Sequence, residues 1–212
     1  MSTSTSPQLP KLIPDESEVL ELLKQTGALR YGHFRYPNGL YSDLYLQVAL
    51  AMRDFQIAKR LSVALSRKIR QNKELRAMIP QLSVVSPATG GLPVAYGVVE
   101  ALRANQVYWA EEDIEGRPQR FRQFIEPKPG EKILIVDDIL RSGAKLSAVK
   151  RLILDCGAEV VGIAVMIYQP TPLTPVYDDV PFFYLAKLDA MYYRDLKEVA
   201  LQPGEEIIDV WV

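Results

Sequence analysis

The stretch Lys132–Leu146, KILIVDDILRSGAKL, decides how this chain folds. Ile133, Leu134, Ile135 and Val136 form an apolar run with three β-branched residues, the composition of a short strand buried on both faces of a parallel sheet. The strand is expected to end at two acids, Asp137 and Asp138. Beyond the turn, Leu146, Val149, Leu152 and Ile153 recur at helical spacing, so a strand passes into a helix. The first N–H groups of such a helix have no partner in the chain and carry the positive end of its dipole, which makes an anion the natural occupant. Arg141, Ser142, Gly143, Ala144 and Lys145 suit that place: Gly143 admits a close backbone approach, Ser142 offers a hydroxyl, and Arg141 and Lys145 add positive charge.

The acids have the opposite task. Too close to a phosphate to bind it, they can accept hydrogen bonds from sugar hydroxyls, so the motif as a whole asks for a sugar phosphate. The alternative is an ordinary crossover with a solvated acid pair. Upstream, Leu82–Val85 is expected as a strand entering Pro87-Ala88-Thr89-Gly90-Gly91, with a helix from about Leu92 to Ala104, and that glycine pair is a second place where backbone N–H groups can meet an anion. A strand at Gln106–Ala110 is followed by Glu111–Gln123, a polar stretch with Gly116 and Pro118 that is expected as a mobile loop. Downstream, Glu159–Ile167 is a further buried strand. Strands alternating with helices predict an α/β, doubly wound, mostly parallel sheet whose ligands sit at the carboxyl ends of the strands.

Residues 1–14, rich in Ser, Thr and Pro at their start, are expected as a mobile tail ahead of one domain, 15–212. A short helix follows, with Asp15 or Ser17 as N-cap and Gly27 as its stop. Tyr31–Tyr45 is aromatic-rich and broken by Pro37-Asn38-Gly39, the pattern of a hairpin. From Asp54 to about Gln71, Ile57, Leu61, Leu65 and Ile69 give an amphipathic helix with a basic, solvated face. After residue 170 come a proline-rich connection, a strand-like Pro181–Leu188, Tyr192 and Tyr193 as core, interface or covering residues, and a closing Glu206–Val212.

Composition narrows the function classes. With 25 basic and 26 acidic residues, the net charge of -1 supplies no field of the kind that draws a chain to nucleic acid or a membrane surface. One His and one Cys leave no material for a Cys/His metal site, and Cys156, at a predicted helix end, suits a buried structural thiol better than a nucleophile. No apolar run reaches membrane-spanning length and the first ten residues lack a signal-peptide pattern, so a cytoplasmic protein is expected.

The apolar strand, acid pair and Ser-Gly turn resemble the 5-phosphoribosyl-1-pyrophosphate (PRPP) motif of type I phosphoribosyltransferases. Ser83–Leu102 resembles the pyrophosphate-loop region of the orotate branch, Gly27–Gln47 its N-terminal segment, and Val107–Asp138 its flexible loop. The likeness covers roughly residues 15–170 in the family's order. It implies a transferase that moves ribose 5-phosphate from PRPP to a nucleobase with loss of pyrophosphate, with Mg²⁺ carried by PRPP and a homodimer as the working form. Asp137 and Asp138 would hold the ribose hydroxyls, Arg141–Lys145 the 5′-phosphate, and Thr89, Gly90 and Gly91 the pyrophosphate. A hood from about 27–47 and 171–212, over a core of about 54–170, would place Phe34, Arg35 and Tyr36 near the base, although aromatics on such a hairpin also serve simply as core.

Three departures accompany the likeness. Pro37-Asn38-Gly39-Leu40 stands where orotate enzymes usually have Lys-Ser-Gly-Arg, and Glu112 stands near the position of their loop Lys. Tyr168-Gln169 replaces an Asp-Arg pair whose Arg meets the carboxylate of orotate. Loop closure would fall to Arg117, Arg120 or Arg122, unless these are incidental charges of an exposed loop, and orotate is expected to be a poor acceptor. A PRPP- or nucleotide-binding regulator with weak or no transfer is the alternative.

Overall fold

The computed structural model describes residues 13–199, 201 and 204–210; residues 1–12 of the tail expected at 1–14 and the closing Trp211 and Val212 lie outside the described residues. Asp15 opens helix α1 (Glu16–Gln25), accepting from the Glu18 N–H while the Glu18 carboxylate accepts from its own N–H, and Gly27 follows the helix at φ +72°. The expected hairpin forms from β1 (Leu29–Arg35) and β2 (Tyr41–Leu46). After α2 (Ala49–Met52), the carboxylate of Asp54 caps α3 (Phe55–Gln71) by accepting from the Gln56 and Ile57 N–H groups. Next come α4 (Lys73–Met78), β3 (Leu82–Pro87), α5 (Leu92–Leu102), β4 (Gln106–Glu112), β5 (Pro118–Phe121), β6 (Lys132–Leu140), α6 (Ala144–Asp155) and β7 (Glu159–Tyr168). The chain continues through β8 (Phe182–Lys187), β9 (Tyr192–Tyr193) and β10 (Ile207–Asp209).

Six strands form the central sheet in the order β5-β4-β3-β6-β7-β8, parallel except for β5. Alternation along β6 sorts the two faces. Leu134 and Val136 join a cluster with α1, α3 and α5, whereas Ile133 and Ile135 pack under Leu146, Val149 and Ile153 of α6. Helices therefore cover both faces, which is the doubly wound α/β arrangement expected from the sequence. A second, four-stranded sheet, β10-β1-β2-β9, joins the N-terminal hairpin to the C-terminal segment, so Tyr192 and Tyr193 belong to this covering sheet.

The structure corrects four local expectations. β6 does not stop at the acids but continues to Leu140, because β7 keeps pairing with it as far as Leu140–Tyr168. The expected loop at 111–123 is largely a β4–β5 hairpin, since Glu111 and Arg120 pair across it and Gly116, at φ +73°, makes its turn. The basic face of α3 is only partly solvated, because Lys68 donates to the Tyr184 carbonyl and Arg70 to the Leu102 carbonyl. Cys156 is half-buried rather than buried, and burial still raises its thiol pKa, which keeps it an unreactive thiol at the end of α6.

One contact sets how closely α5 approaches the neighbouring helix. A Cβ at Gly97 would fall 2.2 Å from Oγ of the buried Ser62 on α3, so the glycine in α5 is required by packing although it lowers helix propensity. Gly97→Ala is expected to destabilise the protein by about 1–3 kcal/mol through overpacking, and Ser62→Gly should return part of that loss. Urea unfolding of the two single variants and the double variant checks it; an additive double variant would show that the two sites are not in contact.

Candidate active site

The pairing of β6 explains why the acids are available. β3 runs beside β6 only from Leu82–Lys132 to Val85–Ile135, so Asp137 and beyond overhang its end while β7 still supports them. Asp137 is 6% exposed, Asp138 is half-buried, and both carboxylates turn back on the main chain. Oδ1 of Asp137 accepts from the Asp138 N–H at 2.8 Å, and Oδ1 of Asp138 from the Ile139 N–H at 2.7 Å. Burial, and then the charge of Asp138, holds the pKa of Asp137 well above the ordinary carboxylate value; burial also raises that of Asp138.

The glycine loop lies directly on these acids. A Cβ at Gly91 would come within 2.1 Å of Ser86 Oγ and 2.7 Å of Asp137 Oδ1, and one at Gly90 within 2.9 Å of Asp138 Oδ2. No side chain fits there, so backbone meets carboxylate. Thr89 is exposed beside them, and its carbonyl accepts from the Leu92 N–H as α5 begins. Two anion-friendly turns thus flank one acid pair at the carboxyl edge of the sheet.

On the other side, Gly143 at φ +79° precedes α6, whose first turn carries Ala144 and Lys145. Ser142, Ala144 and Lys145 are exposed, leaving that side of the helix start open. Gly143 is buried beneath Pro175 and Tyr177, which stand where a Cβ would go, and the Thr174 hydroxyl donates to the Arg141 carbonyl. The proline-rich connection is therefore a strap across the turn, a role that its composition did not announce. Arg141 is also redirected. Its Nε donates to Gln169 Oε1 at 2.6 Å and an Nη2 N–H to the Leu46 carbonyl at 3.2 Å, so it spans from the sheet edge to the covering sheet instead of lining the helix start.

The three residues expected near the base separate by strand alternation. Phe34 and Tyr36 are buried around Tyr45, with ring centroids 5.7 and 6.3 Å away, and Tyr36 also meets Tyr192 at 6.3 Å. Arg35 points to the opposite face, where it forms a two-pronged pair with Asp209 at 2.5 and 2.7 Å. The hairpin arginines are likewise engaged: Arg117 with Asp113 and Glu115, and Arg120 and Arg122 with Glu111. Arg120 and Arg122 line a groove of about 640 Å³ shared with Leu152, Asp155 and Cys156 at the far end of α6, away from the acids. Glu112 instead meets Lys145 Nζ at 2.8 Å, linking the hairpin to the helix start.

A phosphoribosyl transferase domain family matches residues 52–184. The chain is 32% identical over 176 residues to an orotate phosphoribosyltransferase of Carboxydothermus hydrogenoformans, covering 83% of this chain and 87% of that one. It belongs to the phosphoribosyltransferase family. An orotate phosphoribosyltransferase of Caulobacter vibrioides is also 32% identical, with 83% and 86% covered. The crystal structure of the Aeropyrum pernix orotate phosphoribosyltransferase shares the fold, with a TM-score of 0.64 over 80% of this chain and 93% of that one at 19% identity. The protein is thus a pentosyltransferase that moves a phosphoribosyl group from PRPP, and the relatives named here are orotate phosphoribosyltransferases. Among the described residues no helix is long and apolar enough to cross a membrane.

Sequence inspection passed over one buried residue of this phosphoribosyltransferase except as a missing charge. Gln169 is fully buried, its Nε2 has no hydrogen-bond partner among the described residues, and its only signal in the sequence is a polar residue closing an apolar strand. The acid pair generates a prediction of its own. A carboxyl whose pKa is raised on folding binds more protons folded than unfolded, so stability is lost as pH climbs from the ordinary value near 3.8 to the raised one and is constant above it. Asp137→Asn removes that loss. The unfolding midpoint of the variant minus that of the parent should grow as pH rises above the ordinary value near 3.8 and then level off, by roughly 2–4 °C for each kcal/mol, and a flat difference would contradict the raised pKa.

Proposed function

We propose that the carboxyl edge of the sheet holds PRPP across both turns and that the acceptor is a neutral nucleobase lying under Phe34 and Tyr36. The observation that carries this is the contact of the Gly90-Gly91 backbone with the Asp137–Asp138 pair. It brings a pyrophosphate cradle and a hydroxyl-accepting pair within one ligand's length. Asp137 and Asp138 accept from the ribose hydroxyls. Ser142, Gly143, Ala144 and Lys145 receive the 5′-phosphate at the start of α6, and Thr89, Gly90 and Gly91 the pyrophosphate. In transfer, the bond from ribose C1 to the pyrophosphate oxygen breaks, a bond from C1 to a base nitrogen forms, pyrophosphate leaves with the electron pair, and the proton of that nitrogen passes to water or to the departing pyrophosphate. The chain's part is to hold both reactants in line and to set N–H groups and cations against the departing charge.

Magnesium fits poorly as a protein-held ion. The acid pair is shifted towards its neutral form, and among the described residues no group of three or more His, Cys, Asp or Glu could hold a metal. It would enter with PRPP and its own waters. The exposed aromatics Phe55 on α3 and Tyr96 on α5 supply apolar surface for a second copy, in keeping with a homodimer.

A regulatory reading keeps one supporting observation, that the cations are engaged: Glu112 ties up Lys145, and the loop arginines are paired with the acids Glu111, Asp113 and Glu115 of the same hairpin. PRPP binding without turnover of any base would select it. If the acids bind PRPP, replacing both Asp137 and Asp138 with Asn weakens it at least about tenfold, since each charge-assisted hydrogen bond contributes about 1.5–3 kcal/mol. Calorimetry returning the parental affinity would remove the assignment. Orotate brings a carboxylate, while Arg35, Arg120 and Arg122 are committed elsewhere. It should be a poor acceptor, and a kcat/KM on the order of 10⁴ M⁻¹s⁻¹ or more for orotate in steady-state assays would overturn that expectation.

A further inference from the structure

The β4–β5 hairpin ends against the start of α6. Tyr108 and Ala110 of β4 pack in one cluster with Leu146 and Val149 of α6, and two residues further along the same strand Glu112 reaches Lys145 Nζ at 2.8 Å. The pairing of β4 with β5 shifts register between Glu111 and Glu112, and the two neighbouring acids take different partners. Glu111 holds Arg120 and Arg122 of its own hairpin, Glu112 the lysine of another element. The turn then folds back on this pair. A Cβ at Gly116 would lie 3.5 Å from Glu112 Oε2 and 3.8 Å from Lys145 Nζ, and the Glu112 side chain is 16% exposed against 52% for that of Lys145. The rest of the turn is bonded to itself, Asp113 accepting from the Glu115 and Arg117 N–H groups and from Gln119 Nε2. Among the described residues, the Glu112–Lys145 pair is thus the one polar contact that ties the hairpin to the start of α6.

Lys145 faces the site as well as the hairpin. Burial raises the pKa of both Asp137 and Asp138, and the charge of Lys145 works against that rise at each of them. The same ammonium thus answers to Glu112 on one side and to the acid pair on the other, in the first turn of α6. We propose that the hairpin is an autoinhibitory latch: the Glu112 carboxylate occupies Lys145 in place of the 5′-phosphate of a sugar phosphate, and binding of that phosphate releases the hairpin from α6. This rests on the placement of the 5′-phosphate given above. A carboxylate and a phosphate repel each other at one ammonium, so the two are alternative partners. Opening asks for little else, because the hairpin's own hydrogen bonds and ion pairs do not involve Lys145. A pair of this kind favours its closed form by a factor of about two to five. Affinity for the phosphate falls with the fraction of protein left open, so the latch holds it about three- to sixfold below that of an open form.

Removing the carboxylate should therefore strengthen binding. With the whole protein and Mg²⁺, calorimetry of ribose 5-phosphate and of PRPP is expected to give dissociation constants about three- to sixfold lower in Glu112→Gln than in the parent. Glu112→Ala serves if that variant fails to fold, with the same gain expected. The gain must need Lys145: in a Lys145→Gln background, Glu112→Gln should change either affinity by less than about 1.5-fold. Glu115→Gln removes an equal charge from the same hairpin, at an acid paired with Arg117, and should leave both affinities within about 1.5-fold of the parent. An equal gain from Glu115→Gln, or a gain that persists without Lys145, would show a diffuse effect of charge and overturn the latch. A weaker affinity in Glu112→Gln would show that Glu112 positions Lys145 for the phosphate, and overturns it too. A parent that binds neither ribose 5-phosphate nor PRPP overturns the placement of the phosphate and this inference with it, whereas binding indifferent to residue 112 overturns the inference alone.

Discussion

The constraint on which the site depends is the overhang of β6 past β3. Two strands that ended together would bury Asp137 and Asp138 between them or leave both in water. Here β7 carries β6 onward while β3 turns away after Val85, and the vacated edge is filled by the backbone of Gly90 and Gly91. A buried pair of carboxylates is a poor resting arrangement, and the raised pKa values of both acids record the cost of that burial. A ligand with hydroxyl donors removes that cost, so the free protein is strained where the complex would be satisfied.

Burial makes the rest of the site cooperative with this edge. The strap at Thr171–Val180 leans on Gly143 and takes the Arg141 carbonyl, while Asp179 pairs with Lys150 of α6. The covering sheet reaches the same turn through Leu46 and Arg141. Motion of the strap or of the covering sheet would therefore be felt at Arg141 first, because that one residue has partners in both, its carbonyl with Thr174 of the strap and its side chain with Leu46 of the covering sheet.

Much of this was legible in the sequence, and what failed did so for identifiable reasons. The strand–acid–turn–helix order, the first helix with its cap at Asp15, the amphipathic helix from Asp54 and the hairpin at Pro37-Asn38-Gly39 are local patterns, and local patterns carry their own geometry. The extension of β6 to Leu140 depends on β7, which a window around the acids cannot see. The charges and Gly116 of 111–123 suggested a loop, but cross-strand pairing of Glu111 with Arg120 makes that stretch a hairpin. Alternation on β1 sends Arg35 away from Phe34 and Tyr36, which a list of neighbours in sequence hides. Gln169 was noticed for the charge it lacks. Its unpaired donor became visible only with its burial and with the direction of Arg141 known.

Positive charge around the site has been redistributed rather than simply lost. Glu112, at the place where a loop cation was expected, pairs with Lys145 on α6, so the hairpin is held to the phosphate turn by attraction. That pair is exposed and worth little in water, on the order of 0–1 kcal/mol, so an arriving phosphate can displace the carboxylate without a large penalty. Arg141 is different in kind. Its contacts with Gln169 and Leu46 are part-buried and tie the sheet edge to the covering sheet. The phosphate end of the site is thus built to exchange partners, whereas the end under the covering sheet is fixed in advance. On the proposed placement of PRPP, affinity for the sugar phosphate then varies with the hairpin, whose Glu112 competes for Lys145.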